Sequence, residues 1–135
     1  MIRRQRTVWR EWCARPQTTD QEFLRGCGLP GEDPLSRKLA LATRYALAEA
    51  SGVPPGTVKA DDPFRHEIWD SLDWLDVIFR IEKAVAVKIP GGGAREVLYR
   101  RRDEGRGTVV ADFVRAVLVS ARTDTPRARR VTSPL

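Results

Sequence analysis

Ser71 is the residue whose neighbours most invite chemistry. It stands between Asp70 and Leu72, where an apolar periodicity begins, so the triplet reads as the opening of a helix. A serine there lies beside the unpaired N–H groups of a first turn, at the end of the helix dipole that favours an attached phosphodiester. The same position suits a plain N-cap, which stabilises a helix by about 1 kcal/mol with no modification. Both roles fit the residue type. His66, the single histidine, is near Ser71 and Asp70 as a triad would need, but no GxSxG elbow or other nucleophile context surrounds it, and it reads as a loop residue. Cys13, Cys27 and His66 lack the paired spacing of zinc ligands. Gly91, Gly92 and Gly93 are not followed by Gly-Lys-Ser or Gly-Lys-Thr, so they read as a turn rather than a phosphate cradle. The expectation is no catalytic residue and no metal: the chain is not an enzyme.

The elements that must position Ser71 follow from start and stop signals. Thr19, Asp20, Gln21 and Glu22 are spaced like a capping box and predict a short helix through Phe23 and Leu24, ended by Gly26, Gly28 and Pro30-Gly31. Asp33-Pro34 opens the first long helix, which runs through Leu39, Ala42, Ala46, Leu47 and Ala50 and stops at Gly52. Val53 to Pro63 holds too many prolines to be helical throughout and is read as a long loop. The second long helix starts with Asp70 or Ser71 as its cap, and Trp74, Val77, Ile78, Ile81 and Val85 recur at three- and four-residue steps, facing a core. Residues 94–102 read as a shorter helix after the glycine triplet. Thr108 opens a last helix with Val109, Phe113, Ala116, Val117 and Leu118 on one side. No hairpin signal competes. The fold class is all-α, a four-helix bundle of three longer helices and one short one, with a long loop between helices one and two.

Across residues 70–90 the chain resembles the acyl carrier protein family. The likeness lies in Asp70-Ser71-Leu72 opening the second helix, in the Ile81-Glu82 pair on it, and in Ile89-Pro90 at its exit. Gly52-Val53, Val58 and Phe64 resemble the end of the family's first helix and its long loop, and Thr108-Val109 the start of its last helix. The resemblance spans roughly residues 34–121. It implies a carrier that holds an acyl or related intermediate as a thioester on a 4′-phosphopantetheine arm esterified to Ser71, for fatty-acid, polyketide or related biosynthesis. It also implies partner recognition by Asp70, Leu72, Asp73 and Asp76, the partners being a phosphopantetheinyl transferase and acyl-transferring or condensing enzymes. Leu72, Leu75, Val77, Ile78, Ile81 and Val85 would then form the helix-two side of the core or of a pocket for the acyl chain. Arg80 and Lys83 stand where the family is neutral or acidic, and Ala86 where a glycine often ends the second helix.

Composition bounds the rest. At 135 residues, with 31% charged and 41% hydrophobic residues, the chain has the size and balance of one globular domain. The formal charge of +6 is uneven. Residues 1–15 carry five Arg and one Glu, a net +4, and residues 122–135 carry four Arg and one Asp, a net +3. Residues 100–106 add four Arg against two acids, whereas residues 61–82 hold seven acids and two Arg, a net −5. The resulting division is a basic N-terminal extension with a short helix at 1–33, the carrier-like domain at 34–121 and a basic disordered tail at 122–135. Arg3, Arg4, Arg6 and Arg10 interleave with Trp9 and Trp12, which offers the chemistry of a basic nucleic-acid-binding protein, yet solvated basic ends account for the pattern as well. The other alternative is a helical protein-interaction module in which Ser71 is never modified. Two cysteines without CxxC spacing favour a reducing compartment. With neither a signal-peptide h-region nor a run of about eighteen apolar residues, the expectation is a cytoplasmic protein without a membrane span, a monomer that binds no specific nucleic acid.

Overall fold

The computed structural model describes residues 14–29, 33–64, 71–89, 95, 96, 98 and 108–123. Among these residues the fold is all-α, with four α-helices and no strand. They are α1 (Asp20–Gly26), α2 (Pro34–Ser51), α3 (Ser71–Val85) and α4 (Val110–Thr123), with one 3-10 turn at Pro55–Thr57.

The local signals act where the sequence puts them. Thr19 and Glu22 form the capping box: Glu22 N–H donates to Thr19 Oγ1, and Thr19 N–H to Glu22 Oε1, each at 3.1 Å. The Asp33 carboxylate accepts from Leu35 N–H at 3.1 Å and from the Ser36 hydroxyl at 2.7 Å, and Pro34 follows it inside the first turn of α2. Gly52 ends α2 with φ of 71°, a left-handed geometry in which a Cβ would be strained. The short helix expected at 94–102 lies mostly outside the described residues. Only Arg95, Glu96 and Leu98 are described there, all helical, with Leu98 fully buried.

α2 packs against α3, α4 and α1 and is the hub of the core. Its Leu39, Ala40, Ala42, Ala46 and Leu47 are buried with Trp74, Val77, Ile78 and Ile81 of α3. Phe113, Val114, Ala116, Val117 and Leu118 of α4 complete the cluster, and Ala50 at the end of α2 is exposed. Phe64 stacks on Phe113 with centroids 4.7 Å apart, and Trp74 meets the same ring edge-on at 5.9 Å. These two contacts fix the end of the long connection and the first turn of α3 to α4.

Residues of the 18–27 segment pack into this core. Phe23, Leu24 and Cys27 are buried in the cluster that holds α2. Gly26 lies so close to the loop that a Cβ there would meet the Ala60 Cβ at 2.7 Å. Arg44, an arginine on α2, is fully buried and ties the segment down. Its Nε donates to Val58 O at 3.1 Å, Nη1 to Asp20 Oδ1 at 2.8 Å, and Nη2 to Thr18 O and Oγ1 at 2.9 and 2.7 Å. The guanidinium carbon also lies 4.9 Å from the centre of the Phe23 ring. Residues 1–13 and 124–135, which carry most of the basic ends, lie outside the described residues.

Candidate functional site

The connection from α2 delivers the chain to α3 through a set of backbone bonds with α4. Val110 N–H donates to Asp62 O at 2.9 Å and Ala111 N–H to Ala60 O at 2.8 Å, so loop carbonyls satisfy two of the first-turn donors that α4 cannot pair internally. Phe64 N–H donates to Thr108 O at 2.9 Å, and the Thr108 hydroxyl returns a bond to Phe64 O at 2.8 Å. Asp62, nearly buried, accepts from Lys59 N–H and pairs with Arg15. The chain is thereby anchored at Phe64 before α3 and again at Trp74 within it.

Ser71 is the first helical residue of α3, three positions before the anchored Trp74. The N–H groups of this first turn have no intrahelical acceptor, and Asp73 is the acid of the turn. The neighbouring Leu72 is 74% exposed, so the helix opens at the surface. The first residue of this 15-residue helix stands at the positive end of the helix dipole, which favours an attached phosphodiester.

Leu72 and Leu75 do not face the core or a pocket. Leu75 is 65% exposed and Phe79 63%, and with Leu72 they form an apolar ridge on the side of α3 opposite Trp74, Val77, Ile78 and Ile81. This corrects the placing of Leu72 and Leu75 with the inward set. A helix with its long apolar side chains at 74, 77, 78 and 81 has its core face filled, and a residue at 72 or 75 projects more than a right angle away from that face. The other three inward assignments, Val77, Ile78 and Ile81, are buried, and Val85 is half-buried.

The acids beside the ridge are partly neutralised. Arg80 donates through Nε to Asp76 Oδ1 at 3.1 Å, one turn earlier, and its Nη1 lies 3.2 Å from Glu49 Oε2 on α2. The Asp76 bond, with the further attraction of Glu49, raises the Arg80 pKa above its ordinary value and holds the guanidinium charged. Asp73 is half-buried and Asp76 exposed. The face is therefore mixed in charge and apolar along its crest.

The exit of α3 is tightly made. Ala86 follows the helix with φ of 56°, the left-handed conformation that a glycine adopts without strain. Its N–H donates to Glu82 O at 2.7 Å, and Glu82 Oε2 accepts from Ile89 N–H at 2.7 Å. Glu82 thus caps the turn that leads to the buried Ile89.

Of the residues expected to act together, Ser71, Leu72, Asp73 and Asp76 share the first half of α3. Asp70, His66, Cys13, the glycine triplet and the Arg100 to Arg102 run lie outside the described residues. Cys27 is buried and its thiol is pushed up to about 11 by burial, which leaves it uncharged at neutral pH. Among the described residues no group of three His, Cys, Asp or Glu side chains is placed to hold a metal ion. No described helix is long and apolar enough to cross a membrane. Sequence reasoning missed Phe79 and the Arg80–Glu49 bridge. The i, i+3, i+7 spacing of Leu72, Leu75 and Phe79 was the available signal for the first; the second joins residues on two helices and left no local trace. Compared with known proteins, the chain matches no family model, no curated protein and no solved structure.

Proposed function

We infer that this chain is a carrier with the acyl-carrier-protein type of fold, and that Ser71 is the attachment point of a 4′-phosphopantetheine arm. When bound, the arm supplies a terminal thiol that carries an acyl or related group as a thioester for fatty-acid, polyketide or related biosynthesis. The observation that carries the reading is the position of Ser71: first residue of α3, after the long connection from α2, beside an exposed Leu72. The order α2, long connection, α3 and α4, with Arg95, Glu96 and Leu98 helical between the last two, supports it. The positive end of the α3 dipole favours an attached phosphodiester, and Trp74 packs that first turn edge-on against Phe113. Leu72, Asp73 and Asp76, with Asp70 before them, meet the transferase and the acyl-transferring or condensing partners. The carrier performs no reaction itself.

The exposed ridge favours a second reading, a helical protein-interaction module that is never modified. Co-expression with a broad-specificity phosphopantetheinyl transferase followed by intact-mass measurement separates the two. The carrier gains one phosphopantetheinyl group, and Ser71→Ala does not. A chain that stays unmodified under forcing conditions leaves the interaction module.

A further inference from the structure

The ridge of Leu72, Leu75 and Phe79 is unused by the fold: three large apolar side chains stand exposed on a helix whose opposite face already fills the core. Their spacing is that of the anchors by which one helix docks on another surface. Beside the ridge, on one flank, lie Asp73 and Asp76 toward the start of α3 and Arg80 and Lys83 toward its end. Two copies of α3 laid antiparallel bring the acidic half of one flank against the basic half of the other, while the ridges meet between them. A parallel two-fold arrangement sends the two charged flanks to opposite sides of the ridge, where neither meets the other. The surface is thus complementary to itself in one orientation only.

We propose that α3 is a homodimer contact, with a second copy of this chain seated antiparallel on Leu72, Leu75 and Phe79, so that Leu75 and Phe79 of each copy cross near the two-fold axis. The exposed area of the three side chains is a few hundred Å², about half of the roughly 800 Å² per partner in a standard stable interface. The dimer is accordingly weak and reversible, in place of the monomer expected from the sequence. It is independent of what Ser71 carries, although a partner docking at Leu72 and Asp76 competes with it for the same face.

Sedimentation equilibrium of the full chain over a concentration series tests this. The expected result is a monomer–dimer equilibrium with Kd on the order of 10–100 µM, weakened at least tenfold by Phe79→Asp and by Leu75→Asp, with circular dichroism unchanged. A milder variant, Lys83→Glu, weakens it at low salt, and adding Asp73→Lys to Lys83→Glu restores it. Ser71→Ala leaves it unaltered, which separates this outcome from the fate of the carrier reading. A monomer up to concentrations on the order of 500 µM, whatever else binds the ridge, overturns the proposal, as does a dimer indifferent to both Phe79→Asp and Lys83→Glu.

Discussion

Arg44 Nη1 donates to Asp20 Oδ1 at 2.8 Å, joining the centre of the longest helix to the first residue of the shortest. The same guanidinium bonds Thr18 and Val58, so one buried cation gathers α1, α2 and the loop after them. Arg44→Ala leaves the Thr18 and Val58 carbonyls without this donor and opens a cavity beside Phe23. Asp20, 42% exposed, is rehydrated, so the expected cost is about 2–4 kcal/mol in urea unfolding, from the lost charge-assisted bonds to the Thr18 and Val58 carbonyls and the cavity.

That dependence marks what the sequence could and could not convey. Caps are local, and Thr19, Asp33 and Gly52 announce α1 and both ends of α2 because each acts on backbone groups within four residues. The inward stripe of Trp74, Val77, Ile78 and Ile81 is legible because burial repeats at the helical period. Arg44 is not legible, since a lone arginine on α2 looks like a solvated charge until its partners, 14 to 26 residues away, are folded around it. Leu72 and Leu75 misled for the complementary reason: an apolar side chain is read as inward by type, and only the geometry of a full helix shows that the core face was already occupied. The position of Ser71 at the head of α3 was visible, but the exposed crest beside it was not.

Trp74 and Leu75 are neighbours with opposite roles. Trp74→Ala removes the edge-on contact with Phe113 and costs about 3–5 kcal/mol, in the range for large aromatic deletions in a core. Leu75→Ser changes stability by no more than about 0.5 kcal/mol, as for an exposed position. Urea midpoints of the two variants at one protein concentration, below that of any self-association, make the comparison.

Ala86 holds a left-handed conformation that costs a Cβ-bearing residue free energy. Ala86→Gly relieves it, and because glycine also gains entropy in the unfolded chain the net stabilisation is modest, about 0.5–1 kcal/mol. An increase in the urea midpoint without a change in slope is the expected signature.

Cys27 makes stability depend on alkaline pH. Its thiol ionises at about 11 in the fold against an ordinary value of 9.0, chiefly through burial, with Arg115 and Arg44 opposing. Between these values the unfolded chain loses the proton first, so the unfolded state binds fewer protons and stability falls as pH rises from 9 toward 11. Below pH 9 the stabilisation is fully present. Cys27→Ala flattens this limb of the stability–pH curve, and in the wild type the Cys27 thiol reacts with a thiol reagent at pH 8 only as fast as the fold opens.

The central claim is that Ser71 accepts a phosphopantetheine arm on the folded chain. Incubating the purified full-length protein with coenzyme A and a broad-specificity phosphopantetheinyl transferase, then mapping the peptide that contains Ser71 by mass spectrometry, tests it most directly. The predicted result is one phosphopantetheinyl group on Ser71, absent from Ser71→Ala and undiminished in Cys27→Ala. An unmodified Ser71 in a chain whose circular dichroism confirms the helices contradicts the carrier reading.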